Sequence, residues 1–219
     1  MDNQLPIPEI PQGFFEYRTT FKEPIFAAWY NRQNLLKEMY DVLVPWGIDL
    51  EKVAGHENPR NLKEAHITFA VPKPAVLVTI GIGGITIVAN NADWSEAAAL
   101  ISLFQAVLDN VLRTTEAKLE SHQTVLGFHI KPGPKPFREI MKQFIDAKAL
   151  GREDITMLGV GLYSPEFSLI LDNSAVLANG LFVKITRVFP PATGFEEMAS
   201  ILWKDEEGLL RRLGFRMEQ

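Results

Sequence analysis

Hydrophobic and polar residues alternate along Phe14–Phe21. Phe15, Tyr17, Thr19 and Phe21 fall on one side and Glu16, Arg18 and Thr20 on the other, the pattern of a half-buried strand. Pro24 then stands where a first helical residue would, a position whose N–H needs no partner. From there to about Val44, Phe26, Trp29, Tyr30, Leu36, Tyr40 and Leu43 recur at helical spacing, with Gln33 among them. Leu35, Met39 and Val42 widen that apolar face, and Pro45-Trp46-Gly47 ends it. The polar segment Ile48–Lys63, with Gly55 and Pro59, reads as a loop. Ala65–Val71, Ala75–Ile82 and Ile85–Ala89 read as a three-strand meander. Gly83-Gly84 is its tight turn, because glycine tolerates positive φ. Asp93-Trp94-Ser95-Glu96 resembles a capping box, and a helix follows to about Lys118.

The remainder repeats these signals. Gln123–Ile130 is a strand, and Pro132, Pro134 and Pro136 lead into a helix over Phe137–Leu150. Ile155–Leu162, Phe167–Leu171 and Leu181–Phe189 form a second meander. Thr193-Gly194-Phe195-Glu196 then opens a closing helix to about Leu213, weakened by Gly208. Residue identity between the halves is slight, so the duplication rests on order and punctuation. The expected fold is α+β: two βαβββα repeats with pseudo-two-fold symmetry, mainly antiparallel sheet or sheets, and helices on one face. Residues 1–12, with prolines at 6, 8 and 11, form an extended arm. Residues 13–118 and 121–219 are the repeats, expected as one compact unit.

Composition narrows the function classes. There is no cysteine, which removes disulfides, zinc–thiolate sites, iron–sulfur clusters and cysteine nucleophiles. A net charge of −5 argues against broad nucleic-acid binding, which needs many Lys and Arg contacts to phosphate. The N-terminus lacks the pattern of a signal peptide, and no stretch approaches the roughly 18 apolar residues of a membrane span. The expectation is a cytoplasmic protein without membrane attachment.

Candidate chemistry is sparse. His66 and His129 fall on the less apolar sides of their strands, where they could serve as ligand-binding groups. Ordinary sheet-surface histidines are the plainer reading, since no carboxylate stands at metal-ligand spacing and His56-Glu57 sits in the loop. Asp172, at a polar strand end, and Arg187 complete this ligand-binding set. Gly81-Ile82-Gly83-Gly84 is followed by a strand, so a phosphate loop has no support. Lys135, Arg138 and Lys142 form a basic helix strip able to bind an anion, although a solvated face is the plainer reading. No G-x-S-x-G setting exists, and no catalytic residue, metal site or cofactor is assigned. The aromatic cluster Phe26, Trp29, Tyr30, Tyr40 and Trp46 suits either core packing or an interface.

The doubled rhythm is similar to that of sliding clamps and, more loosely, the TATA-binding saddle, at the level of fold alone. The opening strand Phe14–Phe21, Trp94 at the central helix and Val125–Ile130 at the second half also resemble a sporadic family of uncharacterised bacterial proteins. That resemblance covers most of the chain and lends no catalytic residue. The expected function is a non-enzymatic interaction module (adaptor, assembly factor or inhibitor) that self-associates or binds a protein partner. The alternatives are a small-ligand binder or enzyme with a pocket between the repeats, and a clamp-like or saddle-like nucleic-acid-associated protein.

Overall fold

The structure is a computed structural model that describes residues 5–57, 60–91, 94–131 and 159–217. It divides into two compact units. The larger comprises Phe14–Thr124 with Val188–Ala199. The smaller comprises Met1–Gly13, Val125–Arg187 and Ser200–Gln219. The fold is α+β with antiparallel meanders.

In the larger unit the strand order is β2 (Val53–His56), β3 (His66–Val71), β4 (Val76–Gly81), β5 (Gly84–Asn90), β1 (Gln12–Phe21) and β6 (Leu119–Ile130). β6 runs across the unit boundary and contributes Val125–Ile130 to the smaller unit. Register stacks the apolar residues in rows. Ile67, Ile80, Ile85 and Thr19 are opposite one another, and so are Phe69, Val78, Ile87 and Tyr17. These eight side chains are all buried. This follows from the two-residue period of a strand, which sends alternate side chains to one face.

That face is covered by helices. Helix α3 (Ala97–Thr115) places Phe104 at 5.7 Å from the Phe15 ring and 6.1 Å from the Tyr17 ring, centroid to centroid. By length and composition Trp94–Thr115 could cross a membrane, contrary to the reading of the sequence. Its Leu100, Leu103, Phe104, Val107, Leu108 and Val111 are core residues, which explains the apolar composition. Helix α3 begins after a short 3-10 turn at Trp94–Glu96, three residues later than a cap at Asp93 would place it. Asp93 itself lies outside the described residues.

Two local predictions need correction. The helix expected from Pro24 to Val44 is two helices, α1 (Phe26–Tyr30) and α2 (Arg32–Leu43), interrupted at Asn31. The buried line of α2 is Leu35, Met39 and Leu43, so the core face is turned from the stripe drawn through Leu36 and Tyr40. The segment expected as a loop contains β2, which pairs with β3 along its whole length.

The Gly83-Gly84 turn also forms for a different reason. Neither glycine has positive φ. A Cβ on Gly84 would instead lie 2.0 Å from the Thr19 carbonyl oxygen of β1. Glycine is required there for backbone approach.

The smaller unit carries the second meander, β7 (Gly159–Tyr163), β8 (Phe167–Asn173) and β9 (Leu181–Phe189), in the order β6-β9-β8-β7. In both halves the last meander strand therefore lies beside the strand that opens that half, β5 beside β1 and β9 beside β6. The predicted helix Phe137–Leu150 and the start of the strand at Ile155 lie outside the described residues.

Helix α4 (Phe195–Arg212) closes the chain. The Met198 N–H donates to the Gly194 carbonyl at 3.0 Å, which makes Gly194 rather than Thr193 the residue before the first turn. At its far end Gly214, with φ +86°, and the bonds Gly214 N–H to Arg211 O and Phe215 N–H to Leu210 O form a Schellman motif. The proline arm is tied down within the smaller unit. Arg216 donates to the carbonyls of Pro6 (backbone N, 3.0 Å) and Leu5 (Nε, 3.0 Å). The Lys131 N–H reaches the Glu9 carbonyl at 3.0 Å, and the Lys131 ammonium pairs with the Glu9 carboxylate.

Candidate functional site

The predicted ligand-binding residues do not form one set. Arg187 lies on the helix side of its sheet, on the same side of β9 as Val183 and Ile185. It donates through Nε and a terminal nitrogen to both carboxylate oxygens of Asp205 in α4, at 2.7 and 2.8 Å. Its guanidinium carbon is 4.8 Å from the centre of the Phe167 ring. The hydrogen bond to Asp205 raises its pKa further above the ordinary range. Arg187 thus clamps helix to sheet, a use that suits its planar, bidentate fork.

His129 faces the other side of that sheet. Its ring is 4.8 Å from the Phe182 ring, and Phe182 is directly opposite Asp172 in the register. His129, Phe182 and Asp172 therefore share one row on the face away from Leu169, Leu171 and Val183. His129 Nδ1 is 2.9 Å from Ser174 Oγ. That oxygen also accepts the N–H groups of Val176 at 3.2 Å and Leu177 at 2.8 Å. Both acceptor positions of the hydroxyl are then used, so its proton points at His129 Nδ1 and requires an unprotonated nitrogen there. Burial lowers the His129 pKa, which favours the same neutral ring. The serine–histidine contact resembles a nucleophile and its base. With two N–H donors on Oγ it acts instead as the clamp that shapes the turn from Ser174 to Gly180.

His66, in the larger unit, is directly opposite His56 across β2 and β3. Their rings stack at 5.1 Å with 29° between planes, on the side away from buried Ile67 and Phe69. His66 Nδ1 donates to the Glu64 carbonyl at 2.7 Å. This pairing was missed from the sequence because His56 was assigned to a loop.

The aromatic cluster divides. Trp29 is 6% exposed and belongs to the core with Ile25 one turn earlier. Phe26 and Tyr30, also one turn apart, face outward at 48% and 84% exposure. Tyr40 and Trp46 are half-buried. Lys135, Arg138 and Lys142 lie outside the described residues.

A buried polar group that sequence reasoning passed over sits in the larger unit. His122 is 1% exposed and lies within an aromatic group of Tyr17, Phe104 and Phe195. Alternation traced back from Ile130 and Phe128 places His122 on the inward face of β6, a signal lost when the strand was started at Gln123.

The fold and these surfaces define an α+β protein of antiparallel meanders with an exposed aromatic face on α1. No protein-family model and no curated protein matches the chain. Among solved structures, Methanococcus jannaschii TBP aligns over 95% of this chain and 98% of that one, with a TM-score of 0.32 and 13% identity. The PH1819 protein from Pyrococcus horikoshii OT3 aligns over 96% of this chain and 81% of that one, with a TM-score of 0.21 and 10% identity. At TM-scores this low neither likeness carries weight for fold or function.

Proposed function

We propose that this chain is a non-enzymatic interaction module of the cytoplasm that associates with a second copy of itself through the outward face of α1. The observation that supports it is the division of that helix. Ile25 and Trp29 are buried, while Phe26 and Tyr30, spaced to lie on one side, are 48% and 84% exposed. Large aromatic side chains are enriched at protein interfaces, where they bury much area for little rotamer entropy. Tyr30 in particular leaves most of its ring outside the packing of the unit.

Sedimentation velocity over a range of concentrations tests the reading. A dimer that dissociates on joint Phe26→Ala and Tyr30→Ala substitution, with the circular dichroism spectrum unchanged, is the expected result. A monomer at all concentrations, or a dimer indifferent to the substitutions, overturns it. Trp29 is unsuitable for this test, because truncating a buried tryptophan costs about 3–5 kcal/mol of stability.

A second reading, a small-ligand binder, is favoured by the row His129, Phe182 and Asp172 on the face of its sheet opposite Arg187. Chemical-shift changes confined to that row on screening a small-molecule collection would support it over the first.

A further inference from the structure

We propose that His56 and His66 form a two-histidine site for a divalent transition-metal ion of the copper, nickel or zinc type. The two residues are direct register partners in an antiparallel pair. Side chains so placed have Cβ atoms about 4.5–5.5 Å apart, within reach of a shared ion held at about 2.0–2.1 Å from each nitrogen. The stacked rings, 5.1 Å apart, lie on one side of the sheet. His56 is exposed and His66 half-buried, so the rings can turn toward a common point.

The hydrogen bond at His66 selects the ligating atom. A carbonyl oxygen only accepts, so Nδ1 of His66 carries the proton that Glu64 O receives at 2.7 Å. Nε2 then holds the lone pair and is the outer nitrogen of the ring. A backbone carbonyl that fixes the tautomer in this way is the usual support of a metal-binding histidine. Imidazole pairs suit copper, nickel and zinc, whereas magnesium and calcium prefer oxygen. Glu57, next to His56, is paired with Arg32. Among the described residues no group of three or more His, Asp or Glu converges. The ion would thus keep water in its other positions and exchange readily.

Titration of the full chain with Ni(II), followed by calorimetry and by paramagnetic broadening of backbone amides, tests this. One equivalent should bind, and the amides of residues 54–56 and 66–68 should broaden first. His56→Ala and His66→Ala should each weaken binding at least about tenfold, since loss of even a supporting group costs that much. Broadening centred elsewhere overturns the proposal. So does an affinity that changes less than twofold in both variants. The broadening pattern is read on the unsubstituted protein, so it decides even if a variant fails to fold.

Discussion

The Tyr17 hydroxyl meets Nδ1 of His122 at 2.6 Å, and both residues are essentially without solvent exposure. On the far side of the ring, Nε2 of His122 donates to the Pro191 carbonyl at 3.0 Å. With Nε2 committed as donor, the tyrosine hydroxyl donates to Nδ1. The bond joins β1 to β6, and the carbonyl joins β6 to the segment entering α4. Phe195 lies edge-on to Tyr17 at 4.9 Å, which completes an apolar sleeve around the pair. Burial drives the Tyr17 pKa well above its ordinary range, so the phenol stays protonated and remains a donor.

Tyr17→Phe should therefore destabilise the protein by about 1–3 kcal/mol, because Nδ1 is left buried without a donor. Double substitution with His122→Phe should cost less than the sum of the singles, since neither half of the Tyr17–His122 bond is then left orphaned, while the Pro191 carbonyl loses its donor in the His122→Phe single and the double alike. Urea denaturation of the four proteins checks this. Additive losses would show that the hydrogen bond does not couple the two residues.

Gly84→Ala should destabilise by at least about 2 kcal/mol. The added methyl would lie 2.0 Å from a carbonyl of the neighbouring strand, and backbone cannot move aside as a flexible side chain would. Gly83→Ala meets nothing within 4 Å and is the matched control. Thermal unfolding of the pair should separate them clearly.

Gly208→Ala should do the opposite. Gly208 lies inside α4, is exposed, and a Cβ there would meet no atom within 4 Å. Replacing a helical glycine at an open position stabilises by about 0.4–1 kcal/mol, largely by restricting the unfolded chain. A raised melting temperature with an unchanged far-ultraviolet spectrum is the expected outcome.

His129 supplies a pH dependence whose sign is fixed. Its folded pKa is lowered by burial relative to an ordinary value of about 6.5. The unfolded chain therefore takes up the proton more readily. The contribution to stability is fully present above about pH 6.5 and is lost as pH falls toward the folded value. Protonation also breaks the Ser174 hydroxyl bond, which needs a bare Nδ1. The difference in unfolding free energy between wild type and His129→Gln should shrink between pH 7.5 and 5.5. A constant difference would show that folding leaves the His129 pKa unchanged.

Much of this architecture was legible in short-range pattern. The alternation of Phe15, Tyr17, Thr19 and Phe21 gave the inward side of β1 correctly, because a strand has only two sides and one must be dry. The meander Ala65–Ala89 was legible from β-branched runs cut by proline and glycine. The closing helix was read through Gly208, since amphipathic spacing on both sides outweighs one glycine. The division of Phe26, Trp29 and Tyr30 was not legible. Consecutive aromatics at helical spacing are equivalent until a packing partner selects one.

What the sequence alone determined, then, is the set of elements whose period is expressed within a single segment, together with the order in which they recur. The tertiary structure decided what depends on distant chain. Val53–His56 is a strand because β3 offers it an edge, and only that pairing brings His56 to His66. His122 is a buried hydrogen-bonding residue because Tyr17, 105 positions earlier, arrives beside it. Arg187 is a clamp because α4 presents Asp205 to it. Local sterics and hydrophobic period act over a few residues and can be read in sequence. The partner of a buried polar group is set by where separate segments meet, and single-segment pattern holds no record of that.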